Sequence, residues 1–259
     1  MGILNVTPDS FFDGGRYKDE TSILHQVEQM LKDGATFIDV GGYSSRPGAD
    51  AVSLEEELRR VIPIVELVLR VFPETIMSID TFRSEVARQA VEAGAAMVND
   101  ISAGHQDPQM IPVVGKLQVP YIMMHMRGNP KTMQRETNYN DLVKDILLYF
   151  SERIAKAHQY QVNDVIIDPG FGFAKTLTQN YELLNKLDLL HLADKPVLAG
   201  VSRKSMVYKP LKTDAESALN GTTALHMVCL QKGASILRVH DVKEAVECVT
   251  LFNQLHTTT

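Results

Sequence analysis

Polar side chains stand at the carboxyl end of each apolar, strand-like run in this chain. They include carboxylates, amides, cations and a histidine, which are the groups that proteins use for proton transfer and anion binding. In chain order they are Asn5, Asp39, Asp80, Asn99 with Asp100, His125, Asp168, the segment 200–204, and Arg238 with His240. A buried parallel strand reads as a continuous apolar run. Eight such ends in register therefore predict one rim, the active-site face of a (β/α)₈ barrel.

Strand and helix patterns alternate along the chain, which favours an α/β architecture with a parallel sheet. We predict strands near 1–6, 36–41, 75–80, 96–100, 120–125, 164–168, 196–201 and 235–239. We predict helices near 21–33, 53–70, 83–93, 108–117, 139–160, 178–190, 214–232 and 241–255. Ser53, Thr213 and Asp241 each stand three residues before a glutamate, so each is predicted to cap a helix. The fold class expected is a single-domain α/β TIM barrel over residues 1–259. Because the chain opens inside a strand, we expect it to lack a few N-terminal residues of the natural protein.

The amino-acid composition excludes some classes of binding partner. The 259 residues are 44% hydrophobic and carry a net charge of -6, so they offer no basic surface for nucleic acid or an anionic membrane. No run reaches the roughly 18 apolar residues of a membrane helix. Cys229 and Cys248 are isolated, as in proteins of a reducing compartment. We expect a cytoplasmic protein that acts on small molecules.

The loops after the last two predicted strands favour an anion site, because phosphate groups bind there in many barrels. These loops carry Ser202, Arg203, Lys204, Arg238 and His240. Barrel closure would bring Asn5 beside them, and its amide oxygen suits Mg²⁺, which prefers oxygen ligands. The alternative is that Arg238 and Lys204 only form ion pairs with carboxylates inside the barrel.

Acceptor-rich side chains at three other strand ends predict a pocket for a planar heterocycle. Asp80, Asn99 and Asp168 would accept hydrogen bonds from a guanidine-like edge, and Lys204 could donate to a ring carbonyl. Met124 and Phe173 would form apolar walls, and Arg238 could stack on a ring face. A purely structural network of aspartate and lysine is the alternative. The long polar loops 7–20, 41–52 and 126–138 suggest lids.

Eight collinear segments strongly resemble the dihydropteroate synthase family. They are LNVTPDSF at 4–11, SSRPG at 44–48, SIDT at 78–81, VNDI at 98–101, MHMRGNPKTMQ at 124–134, IDPGFGF at 167–173, GVSRKSM at 200–206 and RVHDV at 238–242. The resemblance covers essentially the whole chain. It implies a transferase of folate synthesis that condenses 7,8-dihydropterin-6-ylmethyl diphosphate with 4-aminobenzoate.

The resemblance also implies a role for each matching residue. Asp80, Asn99, Asp168 and Lys204 would bind the pterin edge, and Met124 and Phe173 would line its pocket. Asn5 would hold Mg²⁺ on the diphosphate, which Arg238 and His240 would bind. Phe11, Ser45, Pro47, Phe173 and Ser205 would form the 4-aminobenzoate subsite, while Asp13 and Arg46 would order the closed complex. Loss of diphosphate would be S_N1-like, and the enzyme would be a homodimer inhibited by sulfonamide analogues.

Three residues depart from the family pattern, and all border the 4-aminobenzoate side. Ser45 stands where many members have Thr, Phe12 replaces a common Ser, and Ala174 replaces a Gly. The resemblance therefore does not determine the affinity of this chain for 4-aminobenzoate or for sulfonamide analogues. Two other functions are alternatives. A non-catalytic pterin-binding paralogue should lack Asn5, Arg46, Lys204 or the pair Arg238 and His240. A methyltetrahydrofolate-binding methyltransferase domain needs neither a diphosphate site nor the TPDSFFDGG lid.

Overall fold

A closed ring of parallel strands forms the centre of the protein. The computed structural model describes residues 1–6, 16–43, 52–130 and 132–256. Within them the strands are β1 (Gly2–Asn5), β2 (Phe37–Gly41), β3 (Ile76–Asp80), β4 (Met97–Asp100), β5 (Tyr121–Met124), β6 (Val165–Asp168), β7 (Leu198–Ala199) and β8 (Ile236–Leu237). Strands β1 to β6 form one parallel sheet, and β7 pairs with β8. Parallel bridges from Ile167 to Val197 and from Gly2 to Val239 close the ring, which confirms the TIM barrel.

Helices follow the strands around the outside of this ring. They are α1 (Arg16–Lys32), α2 (Leu54–Val71), α3 (Ser84–Glu92), α4 (Met110–Leu117), α5 (Leu142–Gln159), α6 (Leu177–Asn185), α7 (Leu219–Gln231) and α8 (Val242–His256). Shorter helical segments lie at Met133–Arg135, Leu187–Ala193 and Ser205–Tyr208. Ser53 caps α2 as predicted, since its side chain accepts a hydrogen bond from the Glu56 amide at 3.2 Å. Among the described helices, none has the length and apolar character needed to cross a bilayer.

The predicted start of α7 near residue 214 is wrong. Asp214 accepts a hydrogen bond from the Ser217 amide, but the helix begins only at Leu219. The carbonyl oxygens of Ala215 and Glu216 accept hydrogen bonds from Nη1 of Arg203 instead of belonging to a helical ladder. The preceding loop is therefore shaped by a side chain from the barrel rim.

Side chains that point into the barrel change from apolar to polar along the strands. A lower cluster contains Met97, Ile122, Ile166 and Leu198, with Phe37 and Ile236 packed against it. Because side chains alternate along a strand, the next inward positions are Asp39, Asn99, Asp168 and Arg238 on the even strands. On β5 and β7 they are Met124 and Gly200, and Asn5 and Asp80 end β1 and β3 at the same rim. An apolar floor thus supports a polar layer at the carboxyl ends of the strands, where TIM-barrel active sites lie.

Candidate active site

The guanidinium of Arg238 lies between two carboxylates in the polar layer. Its Nε is 2.6 Å from Oδ2 of Asp39, and its Nη2 is 2.7 Å from Oδ2 of Asp80. Asn99 donates from Nδ2 to the same Asp39 oxygen at 2.9 Å. Asp39 is fully buried, whereas Asp80 and Arg238 keep about a fifth of their side-chain surface exposed. Asp39 therefore holds Arg238 and Asn99 from below, while Asp80 faces the opening.

Burial and charge crowding set the protonation behaviour of this group. Burial raises the pKa of Asp80 to about 7, and the neighbouring Asp39 carboxylate adds to the rise against the opposing effect of Arg238. For Arg238, burial alone would lower the pKa, but attraction to Asp39 and Asp80 outweighs it and raises the value. One guanidinium is thus shared by two carboxylates, and Asp80 is the carboxylate that can change charge near neutral pH.

Asp168 and Lys204 form the opposite side of the opening. Nζ of Lys204 donates to the Phe171 carbonyl at 2.6 Å and lies 5.0 Å from the centre of the Phe173 ring. Burial lowers the pKa of Lys204 to about 8, and Asp168 opposes this. Asp168 has its pKa raised by burial and lowered less strongly by Lys204. A bridging ligand with both donors and an acceptor would suit this pair.

Lys175 is a buried cation that the sequence reasoning missed. Its Nζ lies 3.0 Å from Nδ1 of His125 and donates to the carbonyls of Gly170 and Phe173 at 3.1 and 3.0 Å. Burial lowers the pKa of Lys175 to about 7, and burial together with Lys175 lowers that of His125 well below its ordinary range. The sequence does offer one indication of this burial. Lys175 directly follows the apolar, glycine-rich segment 170–174, and such a segment is expected to pack inside the protein.

The side of the opening built from β7, β8 and β1 presents His240 and Asn5. Oγ of Ser202 is 3.0 Å from Nδ1 of His240 and accepts a hydrogen bond from the His240 amide at 3.2 Å. His240 is exposed, and Asn5 is partly buried at the end of β1. Arg203 contacts Asp241 through two hydrogen bonds of 2.8 Å, so this arginine ties the two loops together.

The remaining predicted residues fall into two sets. Met124 is buried at the end of β5, in a cluster with Ile101, Met126, Met133 and Ala174, against which Phe173 packs. Ser205 begins the one-turn helix after Lys204. Phe11, Asp13, Ser45, Arg46 and Pro47, together with Phe12, lie outside the described residues. Across the ranges given above, we find no group of three or more His, Cys, Asp or Glu side chains placed to hold a metal ion.

Comparison with known proteins assigns a class to this site. A family model described as pterin-binding enzyme matches residues 1–240. A dihydropteroate synthase of Synechocystis is 48% identical over 246 residues, which cover 94% of this chain and 85% of the relative. A Yersinia pestis dihydropteroate synthase, solved in a sulfonamide drug complex, has a TM-score of 0.92 at 42% identity, covering 99% of this chain and 93% of the other. A Xanthomonas albilineans dihydropteroate synthase, solved with 4-aminobenzoic acid, has a TM-score of 0.91 at 40% identity, with coverage of 98% and 92%.

The chain therefore belongs to the dihydropteroate synthases, within the pterin-binding enzyme family.

Proposed function

We propose that this chain condenses 7,8-dihydropterin-6-ylmethyl diphosphate with 4-aminobenzoate, and that the products are 7,8-dihydropteroate and diphosphate. The observation that carries the proposal is the polar layer in which Arg238 joins Asp39 to Asp80, opposite Asp168 and Lys204. This layer combines hydrogen-bond acceptors for a donor-rich ring edge with cations for an anionic leaving group. Both are needed for a substrate that is a pterin at one end and a diphosphate at the other.

The pterin would lie across the opening with its donor edge toward the acceptors. Asp80, the Asn99 amide oxygen and Asp168 would accept hydrogen bonds, and Lys204 would donate to the ring carbonyl. Met124 and Phe173, which belong to one apolar cluster, would line the pterin pocket with apolar surface. Because the pKa of Asp80 is raised to about 7, a cationic ring nearby would favour its ionised form.

The chemistry would be an S_N1-like loss of diphosphate followed by attack of the arylamine. Arg238 and His240 would neutralise the charge that builds on the leaving group. The electron-rich dihydropterin can stabilise the methylene cation, and the Asp80 carboxylate would favour that positive charge through space. The neutral amine of 4-aminobenzoate then forms the new bond, so the protein need not supply a nucleophile.

Magnesium is proposed to share its site with the substrate. Asn5 offers one hard amide oxygen, and Mg²⁺ commonly takes its other ligands from water and substrate phosphates. A donor set of this kind fits an ion carried largely by the diphosphate. When bound, the ion would draw charge from the leaving oxygens.

The second substrate is assigned to the rim. Phe11, Ser45, Pro47, Phe173 and Ser205 would form the 4-aminobenzoate subsite, with Asp13 and Arg46 closing the loops over it. The 4-aminobenzoic acid and the sulfonamide drug bound to two solved relatives support this class of ligand. Phe12, Ser45 and Ala174 are the positions where sensitivity to sulfonamides would differ from that of other members. Comparing sulfonamide inhibition before and after Phe12→Ser would test this, and unchanged inhibition would contradict it.

The cellular setting is also proposed from the family. We expect residues 1–259 to act as one domain in a cytoplasmic homodimer, and the buried free thiols Cys229 and Cys248 agree with a reducing compartment. Sedimentation analysis of the purified protein would test the dimer.

Release of diphosphate from the dihydropterin diphosphate, with and without 4-aminobenzoate, is the direct test of the activity. We expect Mg²⁺-dependent release coupled to formation of dihydropteroate. Arg238→Ala should suppress release by removing the shared cation, and Asp168→Asn should weaken pterin binding. Absence of release by the wild-type protein at every Mg²⁺ concentration would overturn the proposal.

A further inference from the structure

We propose that Lys175 is a positioning residue for the pterin pocket, whose ammonium fixes the loop after β6 and so places Phe173 and Asp168. This inference rests on the proposed function, because it concerns the pocket assigned above to the pterin. Lys175 is only 4% exposed and would not touch the substrate. Its effect would pass through the backbone of residues 168–174.

The ammonium of Lys175 has three protons and three acceptors within hydrogen-bonding distance. Two are the carbonyl oxygens of Gly170 and Phe173, and the third is Nδ1 of His125 at the end of β5. When Lys175 is protonated, Nδ1 of His125 is the acceptor, which assigns His125 a neutral ring with its proton on Nε2. A fully satisfied ammonium in this position links the end of β5 to both ends of the segment 170–173.

The linked loop is the one that carries the pocket residues. Gly170 has a φ of 70°, and a Cβ there would collide with the carbonyl oxygen of His125, so the loop packs directly on β5. The Gly170 amide donates to Oδ1 of Asp168 at 2.7 Å. On the outer side, Oδ1 of Asn180 accepts a hydrogen bond from the Gly172 amide at 2.6 Å. Lys175 thus holds from inside a loop that Asn180 holds from outside.

Charge provides a second link between Lys175 and the pocket. The titratable and charged groups that influence Lys175 are His125 and Arg127 after β5, Asp168 on β6 and Lys204 after β7. The positive charge of Lys175 lowers the pKa of Asp168, against the effect of burial. Asp168 must be ionised to accept hydrogen bonds from the pterin edge, so Lys175 would extend pterin binding to lower pH.

The test compares Lys175→Met, which keeps the unbranched apolar part of the side chain and removes the ammonium, with the matched control Lys186→Met at an exposed lysine. Binding of 6-hydroxymethylpterin would be measured by calorimetry from pH 5.5 to 8. Steady-state KM values would be measured separately for the pterin diphosphate and for 4-aminobenzoate. Lys175→Gln retains two donors without charge, and it serves if the methionine variant does not fold.

We expect Lys175→Met to weaken pterin binding by about tenfold, which corresponds to the loss of one or two charged hydrogen bonds. The acidic limb of pterin binding should move to higher pH in both Lys175 variants. The KM for 4-aminobenzoate at saturating pterin diphosphate should change less than the KM for the pterin diphosphate, because Phe173 contributes to both subsites whereas Asp168 contributes only to the pterin pocket. Every value for Lys186→Met should stay unchanged.

Three outcomes separate the proposals. If the wild-type protein binds pterin but both Lys175 variants keep its affinity and pH profile, the role of Lys175 is wrong while the pocket stands. If both KM values change together without a shift in the pH profile, Lys175 is merely structural and the inference also fails. If the wild-type protein does not bind pterin, the pocket assignment itself fails.

Discussion

The loops after β6 and β7 share the same local backbone geometry, but the lysine that each loop directs inward has different contacts. In each, a non-glycine residue with positive φ directly precedes an inward-pointing lysine: Ala174 (φ 49°) before the buried Lys175, and Arg203 (φ 53°) before the partly buried Lys204. This left-handed residue turns the chain so that the lysine points inward. Lys175 then meets three acceptors, whereas the contacts of Lys204 are the Phe171 carbonyl and the face of Phe173. One lysine is saturated by the protein, and the other keeps donor capacity for a ligand.

The two left-handed residues are stabilised differently. Arg203 contacts Asp241 and the Ala215 and Glu216 carbonyls, and its amide donates to Oγ1 of Thr222 at 3.0 Å. Ala174 is fully buried, and its carbonyl accepts a hydrogen bond from the Tyr139 hydroxyl at 2.9 Å. Polar side-chain contacts therefore stabilise the left-handed residue Arg203 after β7, whereas burial of the side chain stabilises the left-handed residue Ala174 after β6. The difference predicts which substitutions affect activity and which affect stability.

The largest effect is expected from Lys204→Met. Removing the donor that faces the pterin carbonyl should lower kcat/KM for the pterin diphosphate by about 100-fold or more, by analogy with the loss of other preorganised donors. The free energy of unfolding should change by less than about 1 kcal/mol, because a desolvated cation is removed together with its contacts. Steady-state kinetics and urea denaturation measure both. If Lys204→Met lowered the free energy of unfolding as much as the activation free energy rose, the proposed difference between the two loops would be wrong.

Lys175→Met should lower the free energy of unfolding more than Lys204→Met does. The carbonyls of Gly170 and Phe173 and the His125 ring would each lose a buried donor, so we expect a loss of roughly 2 kcal/mol. Urea denaturation at pH 6.5 would measure it, with Lys186→Met as the control. A loss no larger than that of Lys204→Met would show that saturation does not distinguish the two lysines.

Near neutral pH the profile of kcat/KM should report Asp80, whereas Asp168 should set the limb of pterin binding at lower pH. Two lysines lie near Asp168, whereas Asp80 shares one guanidinium with Asp39, and its pKa is raised to about 7. A raised pKa means that Asp80 is protonated below that pH, so kcat/KM for the pterin diphosphate should fall toward acid, by up to about tenfold per unit. Asp80→Asn should lack this limb. A flat profile between pH 5.5 and 8 in the wild-type enzyme would contradict the assignment.

The smallest effect is expected at Ala174. Ala174→Gly relieves a left-handed conformation but removes a buried methyl group, so the two contributions nearly cancel to within about 1 kcal/mol. Arg203→Gly should cost more, because it also removes the two hydrogen bonds to Asp241. Thermal denaturation of both variants would reveal the order, and a larger cost at Ala174 would reverse the comparison.

The sequence predicted the rim well because a polar residue marks where each apolar strand stops. Asn5, Asp80 and Asp168 are the last residues of β1, β3 and β6, as expected. Lys175 could not be predicted in the same way, since its acceptors are backbone carbonyls and a histidine 50 residues away. The start of α7 was missed because Arg203 occupies carbonyls that a helix would use.

The capping box that begins α6 was also missed, although its signal is local. Thr176 and Gln179 stand three residues apart and cap each other's backbone amides. The pattern Thr-x-x-Gln carries the same information as Thr-x-x-Glu.

Neighbouring strands of the barrel are paired over different lengths, and this affects where the barrel opens locally. Strands β7 and β8 pair through only two residues each, and single bridges connect them to β6 and β1. Local opening should therefore begin at these two seams, where amide hydrogens would exchange earliest. Asp168 and Lys204 flank one seam, and Arg238 and Asn5 flank the other. A substrate that contacts all four residues would bridge both weakly paired positions of the barrel. Substrate binding would therefore slow the local opening of the strands there.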